Sequence, residues 1–449
     1  MVEAIANSVE DKLIDGLSFK MQPGASYVTE RKSVTYHPQG SNNYEPGAGT
    51  KLIRILLTGD NWLDPSTLRV MFSLNNREAV GSDRELRVMS GPWSFFRRMR
   101  ILVAGQLVED IDQYNRIHEM FSFFVAEDSN MNDAAEAFGI VHNKHVAVNR
   151  ANFQGILAGQ SLTVLFKPLS GLLNQDKMIP LRYAPVTIEL ELVDSANDPI
   201  FTSVTLGGGG NDIAVANSSY NWSINNVQVK TDICVLDNAL DNSYAQHLLS
   251  GKSLPISYNT FVSQIQTITG QNAPLINVSR ALTRLKSVFV TLAKDYGGNR
   301  AVLLGRKPWN DFFSPMSPNN ADGTLSHEQD GEFEFQLQIG SKLFPEYPVR
   351  SHTEAYYNLK KTLGVQASSV HNFNINPIEF RDYKMILATD CERVLNAGFT
   401  GINTRAGDLL TVKLKYNSND ADRLADRIHI VLHSDQILEI RDSGCSVFD

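Results

Sequence analysis

The sequence has few cysteines and no long apolar run. Three cysteines in 449 residues, Cys234, Cys391 and Cys445, are too few for a disulfide framework, which predicts assembly in a reducing compartment. No apolar run approaches the roughly 20 residues that span a bilayer. The amino terminus has no basic stretch followed by an apolar one, so no signal peptide is predicted. We therefore expect synthesis in the cytoplasm or the nucleus.

The chain also lacks an excess of positive charge. Its net charge of −8 argues against a dedicated nucleic-acid binder, because such domains are usually basic. We therefore predict no sequence-specific nucleic-acid partner. With 42% hydrophobic and 20% charged residues, the chain is too apolar for general disorder and long enough for two cores.

Motifs that carry catalysis are missing as well. The sequence has no P-loop, no nucleophile elbow and no zinc-protease helix motif. The glycine run at Gly207 lacks dinucleotide-binding spacing, and His142 with His145 has no third ligand to complete a metal site. The carboxylates beside Cys391 would raise its thiol pKa rather than activate it. We predict no catalytic residue, no cofactor and no metal, and hence no enzyme.

Three arginines, Arg97, Arg98 and Arg100, look at first like a phosphate-binding cluster. Alternation along a strand would divide them between its two faces. A solvated or interface edge is therefore the preferred interpretation.

The chain is organised around residues 90–127. Met99, Ile101 and Val103 alternate with more polar neighbours, which predicts a strand. Gly105 turns the chain into a second extended piece. The period then changes to that of a helix, predicted over residues 113–124 with Asp112 as its N-cap.

The same order of elements returns in residues 332–364. Phe333 and Phe335 begin another alternating strand, Gly340 provides the turn, and an aromatic helix is expected after Ser351 or Thr353. A strand pair follows the helix in each half. The two copies lie too far apart for a solenoid repeat, so they predict duplicated domains.

Short strands, frequent turns and long loops predict β-sandwiches or barrels. We expect an all-β chain of two tandem eight-stranded jelly-roll β-barrels, with short helices in inter-strand excursions. The expected division is an N-terminal arm (1–50) with a helix in residues 1–21, a first barrel (51–232), a helical connector (233–255) and a second barrel (256–449). The end of the chain is expected to lie on a neighbouring subunit.

The long loop of residues 295–330 carries an apolar group that is unusual for a solvated segment: Trp309, Phe312, Phe313 and Met316. We expect these side chains to pack on a loop of the first barrel or of an adjacent subunit, and they are the candidate intersubunit contacts. The alternative is that they fold back on their own barrel.

Three stretches resemble one known family: FRRMRILVAGQLVEDIDQYNRIHEMF (96–121), GSKLFPEYPVRSHTEAYYNLKKTLG (340–364) and RIHIVLHSDQILEIRDSGCSVFD (427–449). They are similar to major capsid proteins of the double jelly-roll lineage, as in polinton-like viruses, virophages and adintovirus-type elements. The resemblance implies two upright barrels side by side and homotrimers with a pseudo-hexameric outline, tiled into an icosahedral virion. It also implies neighbouring capsomers, penton proteins and minor capsid proteins as partners.

Two other classes of function stay open at this point. A two-domain carbohydrate-binding or cupin-like enzyme has a similar β-rich pattern, and a cupin would hold a stoichiometric metal. A minor capsid or spike protein would differ from a major one in its copy number in purified particles.

Overall fold

A computed structural model describes residues 27–47, 51–139, 155–201, 218–295, 307–315, 333–364, 375, 377–394, 399–405, 409–416 and 424–449. Several predicted features lie outside these residues: the helix of residues 1–21, the His142 and His145 pair, and the glycine run at Gly207.

The described residues before position 237 form one barrel of two antiparallel sheets. Its strands are β1 (Val28–Tyr36), β2 (Asn43–Tyr44), β3 (Leu52–Leu57), β4 (Trp62–Asn76), β5 (Phe96–Val103), β6 (Gln106–Asp112), β7 (Ser161–Phe166), β8 (Ile179–Pro180), β9 (Val186–Leu192) and β10 (Trp222–Leu236). One sheet has the order β1-β10-β4-β7 and the other β3-β9-β5-β6, while β2 and β8 are short additions.

The later residues form a second barrel of the same kind. Its strands are β11 (Leu254–Thr267), β12 (Leu275–Val278), β13 (Leu285–Ala293), β14 (Phe333–Ile339), β15 (Lys342–Val349), β16 (Ile386–Asp390), β17 (Leu410–Tyr416), β18 (Arg427–Arg441) and β19 (Gly444–Phe448). The sheets have the orders β11-β18-β13-β16 and β12-β17-β14-β15, and β19 pairs with β18.

The two barrels have one topology. If β2, β8 and β19 are set aside, each barrel has eight strands. In both, the first, eighth, third and sixth strands form one sheet, and the second, seventh, fourth and fifth form the other. This order is that of a jelly roll. The predicted fold, two tandem eight-stranded jelly rolls, is confirmed.

The helices occupy related places in the two barrels. They are α1 (Tyr114–Ser122), α2 (Glu127–Glu136), α3 (Asn238–Leu249), α4 (His352–Thr362) and α5 (Pro377–Asp382). Both α1 and α4 follow the fifth long strand of their barrel and precede the sixth, as the repeated pattern predicted. Helix α3 lies between the two barrels in sequence, within the residues expected to form the connector.

Alternating side chains explain why the repeated unit forms strands. In β5, Met99, Ile101 and Val103 are buried, and in β14 Phe333 and Phe335 are buried, while the intervening residues are half-exposed. A period of two places one set of side chains in the barrel core and the other toward solvent. The predicted core faces of both strands are therefore correct.

Two boundaries differ from the predictions. The first barrel begins with β1 at Val28 rather than at Lys51, because β1 is an edge strand with no buried residue and hence no apolar alternation. Asp112 ends β6, and Gln113 is the N-cap of α1, with a left-handed backbone (φ 53°) and no side-chain cap. Ser351 does cap α4 by accepting a hydrogen bond from the Glu354 amide at 3.2 Å.

Two further features concern α2 and the chain end. Helix α2 extends to Glu136 although its sequence contains weak helix formers. The end of the chain folds back on its own barrel, where β19 pairs with Ile437–Arg441 of β18. Phe448 of β19 is still 47% exposed, and the expected contact of this tail with a neighbouring subunit stays a prediction. No described helix is both long and apolar enough to cross a membrane.

Candidate functional site

The two barrels contact each other along the edge strands β6 and β11. The hydroxyl of Tyr258 donates to the carbonyl oxygen of Val108 at 3.2 Å, and the hydroxyl of Ser263 donates to that of Asp112 at 2.9 Å. These side chain to backbone bonds join the strands without pairing them into one sheet. Strand β11 therefore covers an edge of the first barrel without extending its sheet.

A buried carboxylate lies in the same contact. Glu109 on β6 is 1% exposed. It accepts hydrogen bonds from the Ser170 hydroxyl and from the amides of Gly171 (3.0 Å) and Leu172 (3.3 Å), and Thr260 of the second barrel also bonds to it. Burial raises the pKa of Glu109 to about 7, although these hydrogen bonds act in the opposite direction. Glu109 therefore connects β6 and the 170–172 turn of the first barrel to β11 of the second barrel.

The 170–172 turn approaches the second barrel at backbone distance. A Cβ atom built on Gly171 would lie 1.5 Å from the carbonyl oxygen of Asn259 on β11. The backbone of Gly171 is in the ordinary right-handed region (φ −69°, ψ −42°), so the glycine is not needed for its dihedral angles. It is needed because no side chain fits between the two barrels.

Arg116 on α1 is the other buried polar link. It is 2% exposed, and its Nη1 donates to the carbonyl oxygens of Pro308 (2.9 Å) and Asp311 (2.7 Å). Its Nη2 donates to the Thr291 hydroxyl at 2.9 Å. Burial lowers the pKa of the guanidinium to about 9, which the charge of Asp311 partly offsets. A planar fork with several donors suits this group of acceptors, so Arg116 joins α1 to the 307–315 segment and to β13.

Aromatic rings continue this contact. The ring of Phe121 on α1 lies 4.6 Å from that of Phe261 on β11, which stacks on His433 at 5.0 Å. His433 Nδ1 lies 3.1 Å from the Ser287 hydroxyl. Burial lowers the pKa of His433 to about 3, with a smaller contribution from Lys286. The imidazole is therefore neutral at physiological pH.

We expect His433 to weaken the fold on acidification. Its folded pKa is about 3 against a reference of 6.5, so its contribution is complete above pH 6.5 and is lost as the pH falls toward 3. The slope is about 1.4 kcal/mol per pH unit. Denaturant unfolding at pH 7, 5.5 and 4 should therefore show a shallower acid loss in His433→Gln than in the parent. Parallel pH profiles for the two proteins would contradict this assignment.

Glu109 provides the control of opposite sign for that measurement. Its pKa is raised from 4.5 to about 7, so its contribution is complete below pH 4.5 and is lost as the pH rises to 7. Glu109→Gln should therefore gain stability relative to the parent as the pH rises from 5 to 7. Comparison of the pH dependence of stability in each variant with that of the parent separates the contribution of Glu109 from that of His433.

The candidate contacts of the 295–330 loop lie between the barrels. Trp309, Phe312 and Phe313 are 5%, 1% and 4% exposed, and Met316 lies outside the described residues. The indole of Trp309 donates to the carbonyl oxygen of Asp198 at 2.7 Å, in a cluster with two apolar side chains of the first barrel. Within the described residues 307–315, Trp309 thus packs on the first barrel. Almost none of the surface of these three side chains is left for another subunit.

Phe312 shows how residues 307–315 are held. Its ring packs edge-on against Phe123 at the end of α1, with centroids 5.2 Å apart, and the Arg116 guanidinium lies 4.5 Å above it. The amide of Phe313 donates to the carbonyl oxygen of Leu292 at 2.9 Å, so the segment also follows β13. Burial of large rings and a cation–π contact together fix the segment between the barrels.

Sequence reasoning missed Glu109, Gly171 and Arg116. The only local signal was for Arg116, a charge between the apolar positions Tyr114 and Ile117 of an amphipathic helix. A charge on an apolar helix face calls for a buried partner. The partners of all three residues are far away in sequence, so no local pattern identifies them.

The arginine cluster of β5 is a set of ion pairs. Arg98 makes a two-point contact with Asp110 at 2.7 and 2.6 Å, and Arg100 lies 3.0 Å from Glu189. Arg97 pairs with Asp194. The three arginines are partly exposed and paired with acids of the same barrel, which agrees with a solvated surface rather than a phosphate site. Strand β5 lies between β9 and β6, so the predicted position at an edge is wrong.

The predicted structural role of Cys391 agrees with its surroundings. Cys391 is 1% exposed, and burial raises the pKa of its thiol, followed in effect by Asp390 and Glu392. Such a thiol is a poor nucleophile. Within the described part of the chain, no group of three or more metal-ligating side chains occurs.

Comparison with known proteins gives matches only in structure. No family model matches the sequence, and no curated protein matches it. Among solved structures, a crystal structure of PBCV-1 VP54 fitted into a cryo-EM reconstruction of the virophage Sputnik matches with a TM-score of 0.58 at 13% identity. That match covers 96% of this chain and 99% of the other.

Two further solved structures match over similar lengths. The Faustovirus major capsid protein has a TM-score of 0.54 at 9% identity, covering 97% of this chain and 96% of that one. The 3.5 Å cryo-EM structure of the Sputnik virophage has a TM-score of 0.56 at 9% identity, covering 98% and 92%. The likeness therefore extends over both barrels of this chain.

Proposed function

We propose that this chain, which has the double jelly-roll fold of those virus structures, is a major capsid protein. Three copies would form a capsomer in which six barrels give a pseudo-hexagonal outline, and capsomers would tile an icosahedral shell. The protein would act in the virion after synthesis in the host cytoplasm or nucleus. Its partners would be its own copies, neighbouring capsomers, penton proteins and minor capsid proteins.

One observation carries the proposal: two barrels of identical strand order lie in contact in one chain. A chain with two like barrels gives a near six-fold outline when three copies surround an axis. The matched structures support the same conclusion, since their likeness covers nearly the whole of each chain. Closed barrels with few free sheet edges also suit the high local concentration of a shell.

The mass of the purified protein tests the proposal. We expect light scattering at micromolar concentration to give three times the 49.9 kDa chain mass, because a capsomer is an obligate assembly. Negative-stain images of the same sample should show near-hexagonal particles. A stable monomer across micromolar concentrations would contradict the proposed function.

The two other classes are less favoured. A role as a cupin-like enzyme has no metal-ligating group to support it among the described residues. One of the solved structures named above is a major capsid protein, which supports a structural role. Copy number in purified particles would separate a major capsid protein from a minor or spike protein.

A further inference from the structure

The contact between the two barrels is asymmetric, because it uses a different edge of each. The first barrel contributes its fifth strand, β6, and the second barrel contributes its first strand, β11. Such a head-to-tail contact leaves one unused counterpart on each barrel. These counterparts are the first strand of the first barrel, β1, and the fifth strand of the second barrel, β15.

Burial distinguishes the used edges from the unused ones. In β6, Val108, Glu109 and Ile111 are buried, and in β11 four residues are buried. In β1 no residue is buried, and in β15 only Val349 is. The same structural position is therefore covered by protein in one barrel and exposed in the other.

The exposed edges also carry apolar and aromatic side chains. Tyr347 on β15 is 82% exposed and Leu343 is 38% exposed, while Tyr27, just before β1, is 57% exposed. Charges of both signs flank them, with Lys342 and Glu346 exposed on β15. Tyrosine surrounded by mixed charge is the composition of a protein contact rather than of a nucleic-acid surface.

Strand β15 is built to dock without extending a sheet. Pro345 and Pro348 lack amide hydrogens, so a second strand cannot pair along this edge without leaving its acceptors unmatched. The contact inside the chain is of the same kind, since β6 and β11 meet through side chains and are not paired strands. A second copy of this chain offers β1, the exposed counterpart of the strand that covers β6 within a chain.

We propose that β15 of one copy packs against β1 of the next copy, repeating between chains the contact that β6 makes with β11 within a chain. This inference rests on the trimer proposed above and specifies which surfaces hold it together. Repetition of one head-to-tail contact around an axis closes a ring. In that ring, contacts within chains alternate with contacts between chains.

Tyr347→Asp tests the β15 side. The parent protein should have three times the 49.9 kDa chain mass, and the variant should have the mass of one chain at the same micromolar concentration. The variant monomer should still unfold in a cooperative transition, because Tyr347 is 82% exposed and packs on little of its own barrel. The matched control is Val80→Asp, since Val80 is 88% exposed and belongs to the loop between β4 and β5 rather than to either edge strand. This control should remain a trimer.

Hydrogen exchange tests the β1 side in the same samples. Peptides covering residues 28–36 should exchange faster in Tyr347→Asp than in the parent and should be unchanged in Val80→Asp. Tyr347→Asp trimers as stable as the parent would overturn the inference, and so would dissociation without faster exchange in β1. A parent protein that is itself monomeric would instead overturn the proposed function, and this inference with it.

Discussion

Gly171→Ala is expected to destabilise the protein by about 3 kcal/mol or more, the upper end of the cost of overpacking. The new methyl carbon would lie 1.5 Å from the carbonyl oxygen of Asn259, and no real Cβ tolerates a contact below 3.0 Å. The carbonyl oxygen belongs to the backbone and the position of a Cβ is fixed by its own backbone, so no rotamer change relieves the clash. The barrels must separate, and the three hydrogen bonds that the 170–172 turn gives to Glu109 must distort.

Calorimetry and urea unfolding measure this effect. We expect a lower midpoint and, because the contact between the barrels weakens, a transition that divides in two. The matched control is Gly59→Ala, where the nearest atom to a new Cβ is Leu181 Cδ1 at the ordinary distance of 3.8 Å. That variant should lie within about 0.5 kcal/mol of the parent. Equal behaviour of the two variants would show that the close approach at Gly171 is not maintained.

Arg116→Ala is expected to cost about 3–5 kcal/mol, comparable with the loss of one member of a buried polar pair. The substitution leaves the carbonyl oxygens of Pro308 and Asp311 without their buried donor, and such acceptors cost about 1–3 kcal/mol each. It also removes the cation from the Phe312 ring. Urea unfolding should show the loss, and limited proteolysis should show cleavage within residues 307–315.

Two further variants define what Arg116 contributes. Arg116→Lys keeps the charge but not the planar fork, so it should recover only part of the lost stability. Arg97→Ala removes a partly exposed ion pair with Asp194 and should cost less than about 1 kcal/mol. If Arg116→Ala cost no more than Arg97→Ala, the buried network would not be holding the barrels together.

The architecture was predictable from local patterns, since the first strand of each copy of the repeated unit has an apolar face of period two. The alternation through Met99 and Ile101 and that through Phe333 and Phe335 both identify core strands. Strand β1 escaped prediction because its sequence, VTERKSVTY, buries no side chain. Helix α2 escaped because Asp, Asn and Ser residues favour turns and caps over helix interiors.

The contact between the barrels was predictable only in part. The cluster around Trp309 and Phe312 is too apolar for solvent, so the sequence required a partner for it, and the structure provides the first barrel. The sequence contained no comparable requirement for Gly171, whose role depends on a strand nearly ninety positions later. Close approaches of this kind are properties of assembled surfaces and leave no local pattern.

The covalent connection between the barrels, through α3 (Asn238–Leu249), has a consequence for the law of mass action. A short linker gives the two barrels an effective concentration on the order of millimolar. The contact between β6 and β11 therefore forms without a bimolecular encounter. In the proposed ring, half of the contacts between barrels are therefore independent of dilution. The yield of rings should follow the third power of free chain concentration, whereas six separate barrels would follow the sixth. The presence of both barrels in one chain thus lowers the concentration at which closed rings predominate over free chains.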